Sequence, residues 1–338
     1  MSHRLRLTAE KVAQRLRLIS GQVARARVPV ERFRMEVLPD ATVAPDLSVR
    51  ACDAPGPVLD WDSYWGEQNL HFVLRSRFTV PRGWRNPALH LPLGTAGDIF
   101  THPEALLHID GSPLASADRY HHTIDLDPAL ADGQPHDLLL HGWTGLTDWP
   151  PDPGDRSRLF MRECAVIDID RALQGFLTLA GTALELSAEL HDDRPEKHGL
   201  LSALDAAFLA LDTRDPMGEA FRASVTEATA RLTEALGRAG PPLDIRLHAV
   251  GHAHMDVAYL WPVAQIRQKN ARTYSNVLRL MDRHPEFRFS HSQPQLYAFT
   301  EEDYPEIFEG IRARVAQGRW EILGGMWVEP DANMPGPE

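Results

Sequence analysis

With 338 residues, 43% of them apolar and 24% charged, the chain has room for two domains with a core each. A formal net charge of −12 without any Lys/Arg block excludes a phosphate-tracking surface, so nucleic acid is not an expected partner. No stretch reaches the roughly 18 apolar residues of a membrane helix, no apolar leader core opens the chain, and Cys52 and Cys164 form no Cys-x-x-Cys pair. A cytoplasmic protein without membrane contact, disulfide framework or thiolate zinc site is therefore expected.

In chain order, Thr8 reads as the N-cap of a helix reaching about Ala24, with Glu10 in the first turn. Val12, Leu16, Ile19 and Val23 form its apolar stripe, and Arg15, Arg17 and Arg25 its solvated side. From Val58 to about Trp149 short strands alternate with turn signals, which predicts a β-sandwich. Its strands are read at His71–Val80, at Leu106–Ile109 leading into an Asp110-Gly111 hairpin turn, and at His136–Trp143. His121, His122, His136 and His141 are read as polar strand faces, and Trp61 and Trp65 as packing residues. Helical spacing then takes over through Leu173, Phe176, Leu184 and Leu186, through Leu201, Leu204, Phe208 and Leu211, and through Phe221, Val225 and Leu232.

Gly240-Pro241-Pro242 is the clearest breaker, so the expected domains are 1–155, 156–243 and 244–338. Beyond it the pattern is strand (Arg246–Gly251), helix (Pro262 to about Asp282), strand (Phe287–His291), helix (Leu296–Gln317, irregular at Tyr304-Pro305) and strand (Trp320–Trp327). Such alternation predicts a parallel sheet with chemistry at the carboxyl ends of its strands. The expected fold class is α+β followed by α/β: a leading helix and β-sandwich, a helical connector, then the first strands and helices of an incomplete (β/α) barrel.

His252, His254 and Asp256 stand at alternate positions after the first of these strands, and Asp331 follows the third. In an extended segment alternate side chains share a face, and imidazole beside carboxylate suits a zinc-type cation. Spacing by itself enlists both histidines. Glu329 shares Asp331's face if the chain stays extended across Pro330.

The string Gly251-His252-Ala253-His254-Met255-Asp256-Val257-Ala258-Tyr259-Leu260-Trp261-Pro262 closely resembles the opening motif of the glycoside hydrolase family 38 α-mannosidases. The resemblance continues through Lys269–Ser275, Ser292–Gln295, Gly318–Glu321 and Gly324–Asp331. It implies His254, Asp256 and Asp331 as ligands of one divalent cation, zinc in the first place and cobalt in some relatives. Asp331 is also the implied nucleophile of a retaining hydrolysis of terminal α-mannosides. Tyr259, where relatives carry tryptophan, and Asp256 are the implied sugar contacts; Trp261 and Trp327 are read as packing around the site. His252 and Glu329 receive no role from the resemblance. The family's general acid and fourth ligand have no counterpart here, so the chain is expected to be the inactive amino-terminal portion of a longer enzyme acting on a mannose-containing oligosaccharide. Its glycan, linkage and oligomeric state, a homo-oligomer included, stay open. So do two other readings: an amidohydrolase or deacetylase using His252, and a carbohydrate-binding module without catalysis.

Overall fold

The computed structural model describes residues 7–94, 103–145, 154, 158–216, 218–239, 245–259 and 261–329. They fall into two compact units. One gathers Met1–Arg27, Trp84–Pro87 and Ile167–Leu247; the other gathers Val28–Gly83, Ala88–Val166 and His248–Glu338.

The first unit is built on helices α1 (Thr8–Ser20), α2 (Arg171–Glu189), α3 (Pro195–Ala210) and α4 (Glu219–Ala239). The capping position of α1 falls on Leu7, in the left-handed region with φ 66°, and not on Thr8, which is buried in the first turn. The helix ends at Ser20, short of Val23, and strand β1 (Ala24–Pro29) follows. Arg15 is not wholly solvated either: its guanidinium lies 5.9 Å from the Phe208 ring centre, so its stem packs while its charge meets a π face. Val12, Ile19, Leu173, Phe176, Leu204, Phe208, Phe221 and Leu232 share one apolar cluster, the product of the helical spacings read above. Asp170 caps α2, accepting from Leu173 N–H at 3.1 Å, and pairs with Arg25 and Arg222. Burial opposes its charge, yet that N–H and the two guanidiniums hold its carboxyl below the usual range.

The second unit begins with β2 (Arg34–Leu38), β3 (Ser63–Trp65), β4 (His71–Thr79), β6 (Glu104–Ile109), β7 (Ser112–Ala117), β8 (Thr123–Asp125), β9 (Pro135–Trp143) and β10 (Leu159–Met161); β5 (Pro87–His90) belongs to it from Ala88 onward and β11 (Ala165–Ile169) as far as Val166. A five-stranded antiparallel sheet runs in the order β2-β4-β9-β6-β7, and β3 pairs with β10. The Asp110-Gly111 turn joins β6 to β7 as the sequence signals. Strands β10 and β11 stand at the start of the segment 156–243, which the sequence reading took as a largely helical connector. They are short and buried, and buried three- to five-residue runs carry no usable period.

Residues from His248 onward give α5 (Val263–Arg283), β12 (Phe289–His291), α6 (Pro294–Asp303), α7 (Pro305–Ala316) and β13 (Trp320–Ile322). The helix break falls at Tyr304, before the proline that cannot continue the ladder. Strands β12 and β13 pair in parallel, Phe289 opposite Trp320. The expected strand at 246–251 is reduced to a parallel bridge between Gly251 and Phe289, with Gly251 N–H donating to Arg288 O at 2.8 Å. Ile245, Leu247 and Val250 before it are exposed, so no packing enforces extension there. The third strand likewise stops at Ile322, with Met326 and Trp327 exposed. The described residues thus carry a parallel βαβ segment and a bridge, and do not close a barrel.

Within this unit the sheet packs on α5. Glu104, Leu106 and His108 of β6, with His141 of β9, point to one face by strand alternation and register. Leu106 enters the same apolar cluster as Ile266, Tyr274 and Val277 of α5. Glu104 accepts from Lys269 and Arg272 at 2.9 Å each.

Candidate active site

Gly251 brings the motif against its neighbour strand: a Cβ there would stand 2.6 Å from the Phe287 ring, so a larger residue would push the bridge apart. After the bridge the backbone leaves strand geometry, and contacts from outside fix it. His291, buried at 0% exposure, donates from Nε2 to Ala253 O at 2.9 Å. Its Nδ1 then accepts from Tyr274 Oη at 3.0 Å, an arrangement that needs a neutral ring, and burial lowers the His291 pKa accordingly. Gln293 Nε2 donates to Met255 O at 2.8 Å, and Trp261 Nε1 to Asp256 O at 3.3 Å. Ala258 (φ 86°) and Gln293 (φ 64°) hold left-handed conformations on either side, the kind of strain that persists where surroundings over-determine the chain.

The same Gln293 reaches the second half of the site. Its Oε1 accepts from Glu329 N–H at 3.2 Å, while Ser292 Oγ donates to Glu329 Oε1 at 2.5 Å and Trp327 Nε1 to Gln295 Oε1 at 2.9 Å. One side chain at the start of α6 therefore ties the motif loop to the segment that leads to Asp331. Asp331 itself lies outside the described residues.

His254 Nε2 stands 3.3 Å from Asp256 Oδ1, and both side chains face solvent. His252 is not part of that pair. Its Nδ1–H donates to Ser290 O at 2.9 Å, and its ring lines a separate cavity of 280 Å³ with Lys269 and Arg272. The expectation that alternate spacing sets three side chains on one face fails because the segment is not extended beyond Gly251. Tyr259 is exposed, with its ring edge-on to Trp261 at 6.1 Å. Glu329 is engaged by Ser292, as described. Among the described residues no group of three His, Cys, Asp or Glu side chains is placed to hold a metal.

His291 and Gln293 are the functional positions that sequence reading missed. Both act on backbone carbonyls 38 residues away, and no periodicity encodes such contacts. The only signal was that Gln293 falls inside the quoted Ser292–Gln295 string.

The histidines of the β region behave differently from one another. His121 pairs with Asp118, and His136 with Asp110 and Asp132. His141, read as a polar strand face, is buried, because α5 covers that side of the sheet. Trp65 is core and donates to Leu93 O at 2.7 Å; Cys52, exposed, and Cys164, buried, form no disulfide.

The His254–Asp256 pair thus follows the Gly251 bridge, on the side where the parallel pair β12 and β13 ends. Residues 244–338 match the model of the glycosyl hydrolases family 38 N-terminal domain. It is similar to Alpha-mannosidase G of Dictyostelium discoideum, 43% identical over 93 residues, 28% of this chain and 9% of that protein. It is also similar to human Alpha-mannosidase 2C1, 28% identical over 300 residues, 85% of this chain and 26% of that one. With Alpha-mannosidase of Saccharomyces cerevisiae it shares 29% identity over 197 residues, 55% of this chain and 18% of that protein. The chain spans about a quarter or less of the length of these relatives.

Proposed function

We propose that this chain supplies part of the catalytic site of a metal-dependent, retaining α-mannosidase that removes terminal α-linked mannose. The observation that carries the reading is the His254–Asp256 pair at 3.3 Å on a loop whose carbonyls are pinned by His291, Gln293 and Trp261. The donor set fits a divalent cation: one imidazole nitrogen and one carboxylate, adjacent and open to solvent, suit zinc, with cobalt as the alternative. His254, Asp256 and Asp331 would hold it, and when bound it would supply Lewis-acid contact to two sugar hydroxyls.

The remaining roles belong to the chain. The Asp331 carboxylate attacks the anomeric carbon as the glycosidic bond breaks, forming a glycosyl ester and releasing the aglycone oxygen, which takes a proton from water to leave as the alcohol. Water then cleaves the ester, and two displacements at one carbon return the original configuration. Tyr259 offers its exposed ring as a platform for the sugar. Glu329 is occupied by Ser292 and is not assigned as the acid.

Zinc titration of the chain by calorimetry tests the ligand set. His254→Ala and Asp256→Ala should each abolish binding, while His252→Ala should weaken it less. In the enzyme to which the chain belongs, Asp331→Ala should remove hydrolysis of an aryl α-mannoside; unchanged turnover would sink the nucleophile assignment.

One observation favours a second reading. The Nδ1–H of His252 is fixed on a backbone carbonyl, as in many ligand histidines, which leaves Nε2 with the lone pair. If His252→Ala damaged zinc binding as much as His254→Ala, an amidohydrolase-like centre would replace the mannosidase one.

A further inference from the structure

The segment that leads to Asp331 is held by side chains and not by a ladder. Strand β13 ends at Ile322, and every residue from Leu323 to Glu329 is exposed, so packing does not fix this stretch. Leu323 N–H still donates to His291 O at 2.9 Å. Beyond it, among the described residues, four hydrogen bonds tie 327–329 to 292–295. Ser292, Gln293 and Gln295 supply three through their side chains, and Gln295 N–H gives the fourth to Trp327 O at 3.2 Å. Of these three side chains, Gln293 also bonds the motif loop. Its Nε2 reaches the carbonyl of Met255, the residue between His254 and Asp256, at 2.8 Å. Its Oε1 takes the N–H of Glu329, two residues before Asp331, at 3.2 Å.

The two partners dictate the chemistry of the tie. A carbonyl oxygen only accepts and a backbone N–H only donates, so the amide must present Nε2 to Met255 and Oε1 to Glu329. A carboxylate could accept from the N–H but would repel the carbonyl, and a thioether would serve neither. Gln293 is 3% exposed, so water does not replace a lost partner cheaply. Its backbone is also a fixed base. It caps α6 with φ 64°, and Asn270 of α5, fully buried, donates to Leu296 O at 2.6 Å in the first turn of that helix. The amide therefore holds two loops from a rigid element and does not follow either of them.

We propose that Gln293 is a positioning residue: it sets the Asp331 segment against the motif loop, so that the two ligand-bearing halves of the site are assembled before a cation arrives. The proposal rests on the reading of His254, Asp256 and Asp331 as ligands of one cation. Gln293 acts through two backbone groups, and its loss is felt as the cost of ordering the halves on binding.

The test is a thermodynamic cycle on the whole chain, read by zinc calorimetry. Gln293→Met removes both bonds at similar side-chain length and should weaken zinc binding about tenfold or more. Asp331→Ala should weaken it about tenfold or more in the wild-type background, but less than about twofold in Gln293→Met, where the carboxylate is no longer held in place. A merely structural role would lower affinity and leave the Asp331 effect the same in both backgrounds; that result would overturn the proposal. NMR without zinc supplies a second readout. In Gln293→Met the Glu329 amide proton should exchange about tenfold faster and the Met255 carbonyl carbon should move upfield, with the α7 amides unchanged. An unchanged Glu329 amide and Met255 carbonyl, or equal acceleration across the chain, would also overturn it. A wild-type chain that takes up no zinc would sink the ligand set instead, and the NMR pair would then decide alone whether Gln293 joins the two segments.

Discussion

Two interfaces in this protein are built on opposite plans. In the helical unit, Leu173, Phe176, Leu204, Phe208 and Phe221 meet as an apolar cluster, with Phe176 edge-on to Phe208 at 5.4 Å. Where the sheet of the second unit meets α5, the buried positions include His108, His141, Gln268 and Arg272. The first interface gains free energy from every methylene it removes from water. The second has to satisfy donors and acceptors before it gains anything, and several of its polar atoms have no protein partner. An apolar interface is built for stability, whereas a polar one selects which arrangement it admits.

The largest effect should come from the apolar side. Phe176→Ala removes a ring at 0% exposure and leaves a cavity in the cluster of buried neighbours. A loss of about 3–5 kcal/mol is expected in urea denaturation followed by circular dichroism. A loss below about 1 kcal/mol would show that the helical cluster is loosely packed and that the contrast is false.

Glu104→Gln probes the polar side. The carboxylate sits 2.9 Å from both Lys269 and Arg272, and the Arg272 side chain is only 3% exposed. Removing the charge leaves a buried guanidinium uncompensated, so about 3 kcal/mol should be lost in the same assay. The double variant Glu104→Gln with Arg272→Met should recover part of it. No recovery would mean that the pair packs rather than compensates charge.

This contrast also explains what the sequence made legible. The stripes of α2, α3 and α4 follow a 3.6-residue period, so both their helices and their buried faces were readable. The Asp110-Gly111 hairpin and the break at Tyr304-Pro305 were readable because each rests on the local chemistry of one or two residues. The polar burial on α5 was not readable. Gln268 and Arg272 look like solvated positions until groups 227 and 168 residues earlier, Ala41 and Glu104, meet them. At the candidate site, the motif identified His254 and Asp256, and the structure sets them together. It could not show that the loop leaves extended geometry after Gly251, because His291 and Gln293 impose that from another strand end.

A smaller and pH-dependent effect separates the buried histidines without a carboxylate partner from those paired with aspartates. His108 and His141 fall from an ordinary 6.5 to about 4 and about 3, mainly through burial. Their unfolded forms take up protons first, so the stability they contribute is full above 6.5 and is lost as pH falls from there toward 4 and 3. His121 is raised by its bond to Asp118, and His136 is raised by Asp110 and Asp132 against its burial. Their contribution is full below 6.5 and fades as pH rises through the raised values. Urea midpoints measured across pH 4 to 9 (about the span of these shifts) should therefore peak near neutrality. His141→Gln should flatten only the acidic side; a variant that flattened the alkaline side instead would reverse the assignment of unpaired and aspartate-paired rings.

The smallest effect marks the control for charge. Arg231 and Glu227 pair one turn apart on α4 at 2.5 Å, but with 55% and 57% of their side chains exposed. Water already solvates both groups, and holding two long side chains together costs rotamer freedom that offsets most of the attraction. Arg231→Ala should therefore cost about 0.3–0.5 kcal/mol, against about 3 for Glu104→Gln, although both remove one partner of an ion pair. Raising the salt concentration to about 1 M should erase the Arg231 effect, because the screening length then falls to about 3 Å, and should leave most of the Glu104 effect. Equal costs for the two substitutions would show that burial against α5 does not strengthen the Glu104 pair, and the polar interface would then be no more selective than the protein surface.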